Sequence, residues 1–189
     1  MTTSLWLVRH GQTDWNLVGR YQGQSDPPLN PAGRAQARAL AARLGGHGFH
    51  ALYTSDLLRA RQTADALAVR TGLPPRLEPR LREMHHGAWD GLLLTEIQER
   101  FPADWAAWRQ DPHAARPPGG ETVMEVAQRV ATALDGIALR HAGGHVIVVS
   151  HGLALATALC RARGIPLAQA HDLVPPNAEA TMVRWSTPR

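Results

Sequence analysis

Apolar and polar residues change their spacing several times along this chain, and each change predicts an element. Ser4 to Arg9 (SLWLVR) is a short apolar run ending at a polar loop, the pattern of a buried strand. After a loop to Asn30, Asn30-Pro31 supplies a helix cap followed by proline at the first helical position. Leu40 and Leu44 then recur at helical spacing until Gly45-Gly46 stops the helix. Ala51 to Thr54 (ALYT) predicts a second strand. Ser55 is placed to cap a helix to about Arg70, with Leu58, Ala64, Leu67 and Ala68 toward the core and Gly72 ending it.

Arg76 to Glu78 predicts a short third strand, whereas Leu81 to Gly91 has glycines and no clear period. Leu94 to Gln110 reads as two short helices separated near Pro102, and Asp111 to Gly120 as a loop holding three prolines and two glycines. Thr122 caps the longest helix, whose Val123, Val126, Val130, Leu134 and Ile137 fall on one face. His145 to Val149 (HVIVV) is a continuous apolar run suited to the middle of a parallel sheet covered on both sides. A helix from Leu153 to Arg163, a Gly164-Ile165-Pro166 turn and a strand at Ala180 to Trp185 follow. Strands alternating with helices predict a three-layer α/β/α sandwich around a mostly parallel sheet. The expectation is one domain over residues 1–189, with a lid-like excursion over about 92–118.

Composition narrows the class. The 189 residues suit one domain, and 44% apolar with 19% charged residues exclude a disordered chain. No run approaches the roughly 20 apolar residues that span a bilayer, and Met1 to Val8 lacks a basic flank and a full signal-peptide core. A cytoplasmic protein without membrane contact is therefore expected. Cys160 is the single cysteine, so neither an internal disulfide nor a cysteine zinc cage can staple the fold. The net charge of +4 and pI near 10.5 come from arginine alone, since lysine is absent. The arginines are scattered and no nucleic-acid module accompanies them, so no nucleic-acid partner is expected.

Three segments carry chemistry. Arg9-His10-Gly11-Gln12-Thr13 stands at the C-terminal end of the first strand, where open α/β sheets place ligands. Val148-Val149-Ser150-His151-Gly152 repeats the design at another strand end, with His151 near a helix N-terminus that favours anions. Thr54-Ser55-Asp56-Leu57-Leu58-Arg59-Ala60-Arg61-Gln62-Thr63-Ala64 again passes from strand to helix, and Arg59 can reach back to the same crevice. A histidine between a guanidinium and a glycine suits a nucleophile at a phosphate site, but Arg-His-Gly alone is a weak signal.

Taken together these residues resemble the histidine phosphatase superfamily, also called the phosphoglycerate mutase-like family, over nearly the whole chain. The resemblance rests on the Arg9 to Thr13 signature, then Asn16, Gln22-Gly23 and Asp26-Pro27-Pro28-Leu29, then Ser55 to Ala64. Leu81-Arg82-Glu83 with Gly87-Ala88-Trp89-Asp90-Gly91, Gly119-Gly120-Glu121, Ser150-His151-Gly152 and Asn177 complete it in order. It implies the phosphoglycerate mutase-like fold, with His10 as the nucleophile that becomes a phosphohistidine. Arg9, Arg59, Asn16 and Gln22 would bind phosphate, His151 would share the clamp and the catalysis, and Glu83 would be general acid and then base. Two departures touch substrate preference: His86 stands where the family commonly has an apolar residue, and Asp90 where it has glutamate. The roles of His85, His86 and Asp90 stay open.

Outside that resemblance the residues have plainer readings. Ser55 serves as a helix cap, Glu121 as a first-turn carboxylate favoured by the helix dipole, and Trp105 and Trp108 as core-facing residues. His47, His50, His141, His145 and His171 have no motif context. The implied activity is a phosphomonoesterase for small phosphorylated metabolites that needs no cofactor or metal. The alternatives are a cofactor-dependent phosphoglycerate mutase, with its longer lid insertion, and a more specific enzyme such as an alpha-ribazole phosphatase. A catalytically silent phosphate-binding module, or a metallohydrolase using His10, His151 and His85, fits less well. A homodimer is left open.

Overall fold

The computed structural model describes residues 2–186. In chain order the elements are β1 (Thr2–Arg9), α1 (Asp14–Leu17), α2 (Pro31–Leu44), β2 (Ala51–Thr54), α3 (Leu58–Thr71), β3 (Pro75–Leu77), α4 (Leu94–Arg100), α5 (Pro102–Gln110), α6 (Val123–Arg140), β4 (His145–Ser150), α7 (Gly152–Arg163) and β5 (Ala180–Ser186). Short 3-10 turns cover Pro79–Leu81, Gly87–Trp89 and Leu167–Leu173.

The strands form one sheet in the order β3-β2-β4-β1-β5, parallel except for β5, which runs antiparallel to β1. Alternate side chains of β4 face opposite layers. Val146 and Val148 join Leu5 and Leu7 against α6 and α7, whereas Ile147 and Val149 join Val8 and Leu52 against α2 and α3. That two-sided burial explains the unbroken apolar run read in the sequence. The five α6 residues Val123, Val126, Val130, Leu134 and Ile137 are fully buried, each contributing about 1.5–3 kcal/mol relative to exposure.

Local caps set the helix ends. Asn30 accepts from the Gly33 N–H at 2.8 Å ahead of Pro31, and Thr122 and Glu125 cap one another's backbone at the start of α6. Gly72 and Gly164, both left-handed, end α3 and α7. The expected cap on α3 is corrected. The helix begins at Leu58, and it is Asp26, from a distant loop, that accepts from the Leu58 N–H at 2.6 Å. β1 also begins two residues earlier than the apolar run, because Thr2 and Thr3 pair with Ser186 and Trp185 of β5.

Among the described residues no helix is long and apolar enough to cross a membrane.

Candidate active site

Register brings the chemistry together. Arg9 lies opposite Ser150 across β1 and β4, the His10 N–H donates to the Ser150 carbonyl at 3.0 Å, and the Ser55 N–H donates to the Val149 carbonyl at 3.0 Å. Three neighbouring strands thus release His10, His151 and Ser55 at one level. The two imidazoles face each other with ring centroids 5.2 Å apart.

His10 is 3% exposed. Its Nδ1 lies 2.7 Å from the Gly11 carbonyl oxygen, which can only accept, so the ring proton is on Nδ1 and Nε2 keeps its lone pair. Arg59 Nε donates to that Nε2 at 3.3 Å. Burial, then Arg59 and Arg9, hold the His10 pKa well below the ordinary imidazole value, with the Gly11 bond opposing. The neutral ring is the favoured form, with Nε2 unprotonated.

Gly11 earns its place by close approach, although the neighbour is a helix rather than a ligand. A Cβ there would lie 2.5 Å from the Gly33 carbonyl oxygen, and a Cβ on Gly33 would lie 2.0 Å from that of Gln12. The first turn of α2 is therefore pressed directly onto the His10 loop. Thr63 adds a second support, accepting from the Gly11 N–H at 3.0 Å while donating to the Arg59 carbonyl at 2.8 Å.

Arg59 is fully buried, and its guanidinium donates to the carbonyls of Ser25 at 2.7 Å and Gly23 at 2.8 Å. Burial lowers its pKa to about 10 against the opposing pull of Glu83, Asp26 and Asp90, so it stays charged at neutral pH. Neutral carbonyls orient this cation without cancelling its charge. Arg9 donates to the Pro175 carbonyl at 2.7 Å, while its buried Nε has no partner among the described residues.

His151 is fully buried; its Nε2 lies 2.8 Å from Ser55 Oγ and its Nδ1 has no partner among the described residues. Burial and then Arg59 and His10 lower its pKa well below the usual imidazole value. Ser55 thus belongs to the site instead of to a helix cap, a role the sequence reading missed. Arg9 Nε and His151 Nδ1 are two buried nitrogens beside a neutral imidazole, suited to anionic oxygens.

Glu83 lies on the N-terminus of α7. Its Oε1 accepts from the N–H of Met84 at 2.9 Å and Ala154 at 3.1 Å, and its Oε2 from Leu153 at 3.1 Å. Asn16 Oδ1 is occupied by Thr13 N–H and Oγ1 and by Asn177 Nδ2, so its amide NH2 is what it can offer a ligand. Asn177 also donates to the His10 carbonyl at 3.0 Å. Gln22 is buried, with Oε1 unpaired among the described residues, and it precedes the Gly23 carbonyl that holds Arg59.

A cleft of about 450 Å³ adjoins this group through Arg9, Asn16, Glu83 and Gly152, and Arg20, Tyr21, His86, Trp105, Trp108 and His171 also line it. Trp105 and Trp108 do pack on the buried Trp89, as core residues would, yet they also line the cleft. The expected core packing is present, and the cleft lining is added to it. His171, which had no motif context, stands edge-on to Trp108 at 5.8 Å. Asp90 accepts from the His86 N–H at 3.2 Å and fills the space where a Cβ on Gly23 would lie, so this departure braces the Arg59 loop. Glu121 is also corrected: it pairs with Arg129 at 2.7 Å and accepts from the His85 N–H at 2.8 Å. No cluster of three or more His, Cys, Asp or Glu suited to a metal ion occurs among the described residues.

A family model described as the histidine phosphatase superfamily (branch 1) matches residues 5–189. Phosphoserine phosphatase 1 of Hydrogenobacter thermophilus is 35% identical over 185 residues, spanning 98% of this chain and 88% of that protein. A Serratia proteamaculans protein named "Probable phosphoglycerate mutase GpmB" is 37% identical over 163 residues, 86% of this chain and 75% of its own. The structure of a mycobacterial glucosyl-3-phosphoglycerate phosphatase complexed with VO3 is 37% identical with a TM-score of 0.86, covering 95% of this chain and 90% of that one.

Proposed function

Because this chain belongs to the histidine phosphatase superfamily and is a phosphoric monoester hydrolase of that type, we propose that it transfers the phosphoryl group of a small metabolite to His10 Nε2 and then to water. The observation that carries the reading is the His10 environment. A neutral imidazole with its proton held by the Gly11 carbonyl keeps the Nε2 lone pair unprotonated, with Arg59 Nε as its long 3.3 Å hydrogen-bond partner and Arg9 and His151 beside it. A transferring phosphoryl group needs positioning and charge stabilisation more than covalent help, and these groups supply both. Arg9, Arg59, His151, Asn16 and Gln22 bind its oxygens. Glu83 protonates the departing ester oxygen, then takes a proton from the water that attacks phosphohistidine.

The preferred alcohol carries a carboxylate. Arg20 and His86 line the same cleft as Arg9 and Glu83, and the relatives are named for phosphoserine and glucosyl-3-phosphoglycerate, both esters with a carboxylate. Hydrolysis prevails over mutase chemistry because α4 and α5 occupy most of the segment between Gly91 and Gly119. The loop after α5 is pinned by Asp111 Oδ1, which accepts from the His113 and Ala114 N–H groups, and this leaves Trp105 and Trp108 of α5 to shield the cleft from water.

The test is a rapid-quench experiment with labelled phosphoserine, followed by digestion. Acid-labile, base-stable phosphate on His10, no turnover by His10→Ala and full activity after chelation are expected. Phosphate on a serine, or activity lost with EDTA and restored by metal, would overturn the mechanism. Matched esters test the carboxylate: phosphoserine should exceed phosphoethanolamine in kcat/KM by about tenfold or more, some 1.4 kcal/mol. Equal values remove that part alone. Phosphorus NMR with 3-phosphoglycerate should show free phosphate outrunning isomerisation, and the reverse order would make the protein a mutase.

A further inference from the structure

Glu83 lies outside any helix or strand, between the turns Pro79–Leu81 and Gly87–Trp89. A proton donor must nevertheless be held to within a fraction of an ångström, since a displacement of about 1 Å can cost about 10²-fold in rate. Its side chain rests on α7. Its main chain is held by a residue from α6.

Arg129 NH1 donates to the carbonyls of Arg80 at 2.9 Å and Arg82 at 2.6 Å, and NH2 donates to the Glu83 carbonyl at 2.9 Å. The remaining donors go to Glu121, Nε to Oε1 at 2.7 Å and NH2 to Oε2 at 2.9 Å. All five N–H groups of the guanidinium are thereby used. Glu121 completes the brace from the other side of Glu83, accepting from the His85 N–H at 2.8 Å while its own N–H donates to the His85 carbonyl at 2.8 Å. Burial by itself raises the Glu121 carboxyl, and the Arg129 and His85 donors outweigh it, holding Glu121 below the usual carboxylate range. Glycines let the two segments cross. A Cβ on Gly120 would lie 2.5 Å from the His85 carbonyl oxygen, and one on Gly87 would lie 2.0 Å from that of Pro118.

We infer that Arg129 and Glu121 are positioning residues for proton transfer, a fork and its counter-ion that hold the backbone on both sides of Glu83. The inference rests on the reading of Glu83 as the proton donor. Lysine cannot replace the fork, since it has three donors on a flexible stem and cannot engage three carbonyls and a bidentate carboxylate together.

The test compares an alkyl phosphate, whose leaving oxygen needs a proton, with nitrophenyl phosphate, whose leaving group does not. Single-turnover phosphorylation is measured for wild type, Glu83→Gln, Arg129→Lys, Glu121→Gln and the Glu83→Gln/Arg129→Lys pair. Arg129→Lys and Glu121→Gln should each slow the alkyl ester by about tenfold or more and the nitrophenyl ester by about threefold or less, with KM little changed. In the Glu83→Gln background, Arg129→Lys should add less than about threefold on the alkyl ester, because the step it supports is already lost. Selective loss in Glu83→Gln but equal losses on both esters in the Arg129 and Glu121 variants would overturn the positioning role while leaving Glu83 as the acid. No selectivity in Glu83→Gln itself would overturn the acid reading and the brace with it. Should Arg129→Lys fail to fold, Glu121→Gln decides by the same comparison.

Discussion

Ser55→Ala removes a single oxygen from a place where nothing can replace it. Ser55 and His151 are both without exposed surface. Ser55 Oγ accepts from the Leu57 N–H at 3.3 Å and lies 2.8 Å from His151 Nε2, and among the described residues its own hydrogen finds an acceptor only if that nitrogen is unprotonated. The ring proton of His151 is thereby placed on Nδ1, the nitrogen suited to donate to a phosphoryl oxygen. Without the hydroxyl, the buried Nε2 loses its partner and neither tautomer is enforced. A buried polar group left unsatisfied costs about 1–3 kcal/mol. In a chain of this size each kcal/mol moves Tm by about 2–4 °C, giving an expected loss of about 2–12 °C. Phosphorylation of His10 should slow about tenfold, less than the 10²- to 10³-fold that follows outright removal of a transition-state donor. Calorimetry reads the first quantity, rapid quench the second, and nitrogen NMR of the His151 ring reads the tautomer. A variant with unchanged melting and full rate, or a wild-type ring protonated on Nε2, would refute the reasoning.

Two further outcomes follow from the same geometry. His10 and His151 both have pKa values lowered well below the ordinary imidazole value, so as pH falls through about 6.5 the unfolded chain takes up two protons that the folded one refuses. Stability is full above that pH and is lost below it, by up to about 2.7 kcal/mol per pH unit for the two groups, with His141 acting in the same direction. Urea unfolding across this range checks it, and stability that is flat or rising toward acid counts against neutral buried rings. Gly33→Ala places a Cβ 2.0 Å from the Gln12 carbonyl oxygen, so α2 or the His10 loop must shift. A stability loss of about 1–3 kcal/mol together with slower phosphorylation is expected, and normal values for both would show that the close approach is not needed.

What was legible in the sequence had local causes. Asn30-Pro31 and Thr122 announce helix starts through bonds that reach three residues, and the run in β4 announces burial on both faces. The positions of His10, Arg59 and His151 at one crevice also follow from where strands end. Ser55 was legible only as a cap, because its true partner is His151, 96 residues away, and Asp26 serves α3 instead. Arg129 carried no mark that separated it from the other arginines. Its role depends on three carbonyls from a segment without periodicity. Trp105 and Trp108 met the core expectation on one edge and the cleft on the other, a division that helical spacing does not encode.

The place of β1 between β4 and β5 bears on how the protein is made. Ser4 pairs with His145 on one side and Arg184 on the other, so β1 is synthesised well over a hundred residues before either neighbour. Until they arrive, its apolar residues have no sheet to join, and the emerging chain depends on chaperones or on slow collapse to keep them from foreign strands. A ribosome stalled ahead of β4 holds a chain with His10 but without His151 or the α7 amides that support Glu83. Such a fragment cannot consume metabolites, and the onset of hydrolysis during translation reports that the central strands have closed.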